Sequence, residues 1–175
     1  AGDALRPYRR HIHDVTGGDT ALDEIPDRDR IIIGLVALVN RERELIASHA
    51  SGGAVSFTIM ERLLANSERM ADATRTEGRL GYVRTAQERL AFGRNFRIAH
   101  LLHRRLRIDR PLERFVADRF EMVMVTRIVL EELDRYTRTK LGRVLGVRVA
   151  ELLSEILAQR MSAVATALEA LRLQY

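Results

Sequence analysis

Five histidines are the side chains of this sequence best suited to metal binding or proton transfer, because it contains no cysteine. They occur as His11 with His13, His49 alone, and His100 with His103. The i, i+3 spacing of the last pair puts both rings on one face of a helix, where imidazole titrates near neutral pH. Neighbouring arginines repel a metal ion and are expected to lower the pKa of these imidazoles. We interpret His100 and His103 as a candidate pH-responsive pair, with plain surface residues as the alternative, and predict no metal site.

The sequence contains no recognisable motif for nucleophilic catalysis or for phosphate binding. There is no Gly-x-Ser-x-Gly motif, and no serine stands with a histidine and a carboxylate in a known arrangement. The glycine pairs lack the preceding strand and the following lysine of a phosphate loop. We therefore predict that the chain is not an enzyme and carries no cofactor.

Arginines are concentrated in residues 75–110. Ten arginines stand there against three acidic residues, in a chain whose net charge is +5. Such a surface attracts anionic lipid headgroups or nucleic acid, although a solvated helix face paired with acidic groups elsewhere has the same composition. Nucleic acid is the weaker alternative, because no helix-turn-helix pattern stands out and aromatic residues are few. The candidate lipid-facing group consists of Arg104, Arg105, Arg107 and Arg110.

Apolar spacing predicts helices along most of the chain. The longest apolar run, residues 31–39, is shorter than the ~20 residues of a membrane span, and nothing resembles a signal peptide, so the chain is expected to be water-soluble. The first helix, at 29–48, carries an apolar stripe beside Arg41, Glu42 and Arg43. Ser51 and two glycines end it, and Ser56 is a candidate N-cap for the next. That second helix points Phe57, Met60, Leu63, Leu64 and Met70 inward.

Three further helices complete the prediction. They cover residues 82–108, then 109 to about 141, and a last segment after a turn marked by Gly142 and Gly146. Another turn is expected at 74–81. Residues 1–28 show no sustained periodic spacing of apolar residues, which suggests an arm or linker. The predicted fold is an all-α bundle of about five helices over residues 29–175.

The fourth predicted helix is apolar on almost every side. Its sequence from 120 to 133, FEMVMVTRIVLEEL, suggests burial inside the bundle or between two subunits. An arginine inside such a run needs a partner, and Glu131 stands one turn after Arg127. The candidate core or dimer residues are Met122, Val123, Arg127 and Leu130.

Four short stretches carry a resemblance to a known family. They are RELI at 43–46, GAVS at 53–56, RFEMVMVTRIVLEEL at 119–133 and ALEALRLQY at 167–175. Together they are similar to the cytoplasmic region that follows the membrane domain in bacterial sodium/proton antiporters of the monovalent cation/proton antiporter-1 family. The branch is the one that contains plant salt-tolerance exchangers and sperm exchangers. The resemblance covers roughly residues 29–175.

The resemblance implies a cytosolic domain that regulates or helps to dimerise a sodium/proton antiporter and has no transport residue of its own. It places the chain at the cytoplasmic side of the plasma (inner) membrane, as part of an integral membrane protein. The implied partners are the membrane domain of the same antiporter, a second copy and an anionic membrane surface. In this branch the stretch similar to ALEALRLQY commonly leads toward a cyclic-nucleotide-binding-like domain. The alternative is a soluble helical nucleic-acid-binding regulator that uses the arginine-rich face.

Overall fold

Helices dominate the described part of the chain, which the computed structural model gives as residues 27–53, 55–90 and 110–173. Six helices occur in these ranges, and a π-helical turn, Thr137–Leu141, joins the fourth to the fifth. They are α1 (Asp27–Ser51), α2 (Phe57–Glu77), α3 (Arg79–Leu90), α4 (Arg110–Tyr136), α5 (Gly142–Leu145) and α6 (Val147–Leu173). No strand occurs within them. The predicted all-α bundle is confirmed, with α5 as one additional short turn.

The double glycine after α1 ends that helix as predicted. Gly53 adopts φ +72°, and its amide N–H donates to the Ala50 carbonyl at 3.0 Å. Ser56 is the N-cap residue of α2 as predicted, but its side chain does not make the expected capping bond to that helix. Its N–H and Oγ instead donate to the Glu121 carboxylate of α4, at 2.5 and 3.2 Å. A carboxylate from another helix therefore stands at the positive end of the α2 dipole.

The turn between α2 and α3 is much tighter than the predicted segment 74–81. It consists of Gly78 alone, with φ +63° and its N–H donating to the Thr74 carbonyl at 2.9 Å. Thr74 itself is buried within α2. Beyond the turn, Gly81 approaches the α2 backbone so closely that a Cβ would stand 2.1 Å from the Ala73 carbonyl oxygen. Only glycine fits at this helix crossing.

One hydrophobic core holds the bundle together. α2 packs against α1 and α3, α4 packs against α6, and α1 contacts both α4 and α6. α3 also contacts α6, so the two groups of helices share their buried faces. The largest fully buried side chains come from every helix except α5: Leu35, Leu38, Ile46, Ile59, Leu63, Met70, Tyr82, Leu130, Leu133, Leu153, Ile156 and Leu157.

Two details of the prediction are wrong. Phe57 does not point inward but is 68% exposed, and Ile59 is buried two residues further along α2. The turn before α6 forms at Gly146 alone, with φ +88°. Gly142 is helical, with φ −60° and ψ −31°.

The π-helical turn continues the buried face of α4 into α5. Thr137 is fully buried, and its Oγ1 donates to the Leu133 carbonyl at 2.8 Å, so burial leaves this hydroxyl satisfied. Leu141 and Leu145 follow at four-residue steps and are buried as well. The junction thus adds to the core between α4 and α6.

Gly81→Ala should destabilise the protein by about 1–3 kcal/mol, because the added methyl group meets a backbone carbonyl that a side-chain rotation cannot relieve. Gly142→Ala is the matched control: its Cβ would lie 3.5 Å from the Ala150 Cβ, an ordinary contact, and alanine should stabilise this helical position by ~0.4–1 kcal/mol. Urea unfolding followed by circular dichroism measures both. Equal midpoints for Gly81→Ala and the unsubstituted chain would contradict the close crossing of α2 and α3.

Candidate functional site

Glu42 is the one carboxylate buried in the core that the described residues form, with 1% of its surface exposed. It follows Leu38 by four positions and precedes Ile46 by four, so the helix period directs it into the bundle. The prediction that Glu42 lies beside the apolar stripe is therefore wrong. Its neighbours Arg41 and Arg43 are less buried and pair at the surface of the bundle.

Two arginines bind this carboxylate from different helices. Arg160 of α6 donates from Nη1 to Oε2 at 3.0 Å and from Nη2 to Oε1 at 3.1 Å, which is a bidentate pair. Arg89 of α3 donates from Nη1 to the same Oε1 of Glu42, and its Nη2 lies 3.5 Å from the Leu63 carbonyl of α2. The carboxylate consequently joins α1 to α3 and α6.

Tyr82 supports the guanidinium of Arg160 on two sides. Its fully buried hydroxyl accepts a hydrogen bond from Arg160 Nη1 at 2.6 Å, and its ring centroid lies 5.2 Å from Arg160 Cζ, within cation–π range. Tyr82 lies on the buried face of α3, about two turns before Arg89. Both ends of α3 therefore contact the same ion pair.

Arg119 brings α4 into the arrangement. Its Nη1 donates to the Arg89 carbonyl at 3.3 Å and its Nη2 to the Leu90 carbonyl, the last two described carbonyls of α3. A cation is favourable there because the carbonyl end of a helix carries partial negative charge. We call Glu42, Tyr82, Arg89, Arg119 and Arg160 the Glu42 cluster.

Glu42, Tyr82 and Arg160 each keep one protonation state near neutral pH. Burial by itself raises the pKa of Glu42, but the charges and hydrogen bonds of Arg160 and Arg89 outweigh it and lower that pKa from 4.5 to about 2. Burial raises the pKa of Tyr82, so its hydroxyl stays protonated. Burial opposes the charge on Arg160, but Glu42 and Tyr82 outweigh this effect and raise the pKa of the guanidinium. These groups hold charge in place rather than exchange protons.

A cavity of about 60 Å³ adjoins the Glu42 cluster between α3, α4 and α6. Arg89 and Arg160 line it, together with Ala86, Thr126 and Ala163 and with larger apolar side chains such as Ile156 and Val164. One water molecule needs ~10–15 Å³ of such space, so the cavity has room for several water molecules or one small ligand.

The structure gives no test of the predicted lipid-facing and pH-responsive groups. Arg104, Arg105, Arg107, His100 and His103 lie outside the described residues; Arg110 begins α4, but its side chain is not among those described. Their roles stay predictions.

Other arginines of the basic stretch form ion pairs within the fold. Arg75 pairs with Asp72 at 3.0 Å and Arg84 pairs with Glu77 at 2.6 Å, so a nearby acidic group accounts for the charge of each. Arg89 instead shares the single carboxylate of Glu42 with Arg160.

The candidate residues of the fourth predicted helix separate into two environments. Val123 and Leu130 are 1% and 0% exposed within a single chain, and Met122 is half-buried. Arg127 does bond to Glu131, at 3.0 Å between Nε and Oε1. The predicted partner is therefore present, and the pair is exposed on the outer side of α4 rather than in the core of the single chain.

Comparison of the chain with models of known families, with curated proteins and with solved structures finds no match. Within the described ranges, no helix combines the length and apolar character needed to cross a membrane. The same ranges contain no group of three acidic or histidine side chains placed to hold a metal ion. We therefore base the functional proposal on the Glu42 cluster and on the positions of the sequence motifs.

The signal that identifies the Glu42 cluster is a charge at a position that the apolar period assigns to the core. Arg160 follows Ile156 by four residues and precedes Val164 by four, as Glu42 does between Leu38 and Ile46. A charged side chain in such a place must be paired if it is buried. The sequence alone does not say which of many arginines is the partner.

Glu42→Gln should lower the free energy of unfolding by about 3 kcal/mol at neutral pH. The folded pKa of about 2 lies below the ordinary 4.5, so the contribution is fully present above roughly pH 5 and disappears as pH falls toward 2. The difference between Glu42→Gln and the unsubstituted chain should close over that window. Denaturant unfolding at several pH values measures it.

Glu44→Gln is the control, because its exposed side chain pairs with Arg41 at the surface and should contribute under ~1 kcal/mol. A Glu42→Gln difference that stays constant from pH 5 to pH 2 would contradict the charged state of Glu42.

Proposed function

We propose that residues 29–175 form a cytosolic domain that regulates or helps to dimerise a sodium/proton antiporter. The observation that carries the proposal is that the stretches resembling this family, although far apart in sequence, contact one another. Ser56, at the end of GAVS, bonds to Glu121 in RFEMVMVTRIVLEEL. His49, just after RELI, lies 3.0 Å from Glu132 of the same long stretch.

The long stretch also begins with a residue of the Glu42 cluster. Arg119 holds the carbonyls of Arg89 and Leu90, while Val123 and Leu130 belong to the same hydrophobic core as Leu45 of RELI. Three of the four stretches, RELI, GAVS and RFEMVMVTRIVLEEL, therefore pack together in one bundle. The contacts support the resemblance as a likeness of a whole folded domain rather than of isolated helical patterns.

In the proposed role, the bundle acts as a rigid body attached to a membrane partner. The Glu42 cluster joins α1, α3, α4 and α6, so a displacement of one helix moves the others with it. The proposed inputs are pH, through His100 and His103, and attachment to anionic lipid through Arg104, Arg105, Arg107 and Arg110. The site of exchange belongs to the membrane domain. A nucleic-acid-binding role is less well supported, because Arg75 and Arg84 of the basic stretch are paired within the fold.

We further propose that a second copy covers the outer side of α4. Phe120 and Ile128 are 50% and 42% exposed there, with the half-buried Met124 between them at four-residue steps. The adjacent Arg127 and Glu131 are charges of opposite sign, which suit a self-complementary contact around a two-fold axis. The interface proposed here uses exposed residues instead of Val123 and Leu130.

Ile128→Glu should convert the dimer to a monomer and leave the helical circular dichroism signal unchanged. Val123→Glu should instead unfold the chain, since it puts a carboxylate into the core. Leu80→Glu, at a 78% exposed apolar residue on α3, is the matched control and should keep the dimer. Light scattering at high micromolar concentration measures the mass. A monomeric mass for the unsubstituted chain would refute the interface.

The antiporter proposal predicts that the reading frame on the 5′ side of the Ala1 codon encodes about a dozen apolar spans of ~20 residues. In everted vesicles carrying that whole protein, sodium should dissipate an imposed proton gradient, seen as recovery of acridine dye fluorescence. Removing residues 29–175 should shift the pH profile of exchange while measurable exchange persists. A reading frame without such spans, or an unchanged profile after the deletion, would count against the proposal.

A further inference from the structure

Within the Glu42 cluster, the buried ion pairs that Glu42 makes with Arg89 and Arg160 do not balance. Glu42 supplies one negative charge, whereas Arg89 and Arg160 supply two positive charges, and their side chains are 2% and 8% exposed. In the described ranges no other carboxylate pairs with either arginine. A buried charge without a counter-ion is strongly unfavourable, so an excess of one positive charge calls for a further anionic group.

Arg89 also has an unused donor. Its Nη1 bonds to Glu42 and its Nη2 reaches only the Leu63 carbonyl, at 3.5 Å. Its Nε is buried and has no hydrogen-bond partner among the described residues. Nε and Nη2 form one edge of the planar guanidinium, the edge that binds both oxygens of a carboxylate or similar oxyanion.

The cavity described above is an open space next to these two arginines. Both Arg89 and Arg160 line it, and its volume of about 60 Å³ is several times what one water requires. The short side chains of Ala86 and Ala163 leave the space open, and the rest of the lining is largely apolar, with Val83, Leu90, Ile156 and Val164. A ligand of three or four heavy atoms fits this volume, whereas a nucleotide or a sugar phosphate does not.

We propose that this cavity binds one small monovalent oxyanion, with the carboxylate or carbonate group facing Arg89 and Arg160. Formate, acetate and bicarbonate have this chemistry and size. The single negative charge of the ligand compensates the single excess positive charge, and the anion becomes a further link between α3, α4 and α6. The inference concerns the bundle itself and does not depend on the antiporter proposal.

Thermal unfolding of the 175-residue chain tests the site. Formate, acetate and bicarbonate should each raise the Tm in a saturable manner, by about 5 °C or more at one hundred times the Kd. Sodium gluconate at equal ionic strength is the reference salt, because it carries the same carboxylate on a molecule too large for the cavity. Isothermal titration with acetate should give one site per chain. No saturable rise, or an equal rise with gluconate, overturns the proposal.

Two substitutions separate this cavity from surface binding. Ala163→Leu fills the space without changing any charge and should abolish the acetate response, while Ala158→Leu, the same change at an exposed position of α6, should preserve it. Arg89→Met removes the excess charge and should abolish the response as well, which keeps the test decisive if Ala163→Leu does not fold. An acetate response that survives in Ala163→Leu or in Arg89→Met overturns the proposal.

Discussion

The placement of one carboxylate at the centre of an apolar helix face constrains the rest of this bundle. Once Glu42 is buried, it must find cations, and the two that reach it come from α3 and α6, far away in sequence. An apolar core of the same volume would tolerate helix shifts that this ion pair does not, because bidentate hydrogen bonds depend on orientation as well as distance. The network therefore specifies which helices are neighbours, even where its net contribution to stability is small.

Local chemistry explains which features the sequence predicts well. The helices, the end of α1 at Gly53 and the turns at Gly78 and Gly146 follow from spacing and from backbone freedom within a few residues. The position of Ser56 as N-cap also follows, but the bond of its side chain to Glu121 does not, because Glu121 lies 65 positions away and local capping rules do not include it. The burial of Glu42 can be predicted from its position in the helical repeat of apolar residues. Its partners Arg89 and Arg160 cannot, because α1, α3 and α6 meet only in the folded chain.

The outer side of α4 shows why apolar composition overstates burial. A helix that is apolar all round suggests coverage on every side. The helices α1, α2 and α6 pack against α4 and still leave Phe120 and Ile128 exposed. The bundle buries the face with Val123 and Leu130, and the opposite face carries the Arg127–Glu131 pair. Composition identifies the helix, whereas only the packing distinguishes a face that belongs to one chain from a face open to a second.

The π-helical turn determines which side of the helix the residues after α4 occupy. Leu133, Thr137, Leu141 and Leu145 are all buried at uniform four-residue steps. In an α-helix each such step overshoots a full rotation by about 40°, so three steps would carry the last side chain about 120° around the axis. A turn closed by i→i+5 bonds is wider and offsets that drift. The wider turn therefore keeps these four side chains, spaced four residues apart, on one side of the helix. A sequence analysis that assumes 3.6 residues per turn throughout would end this buried stripe too early.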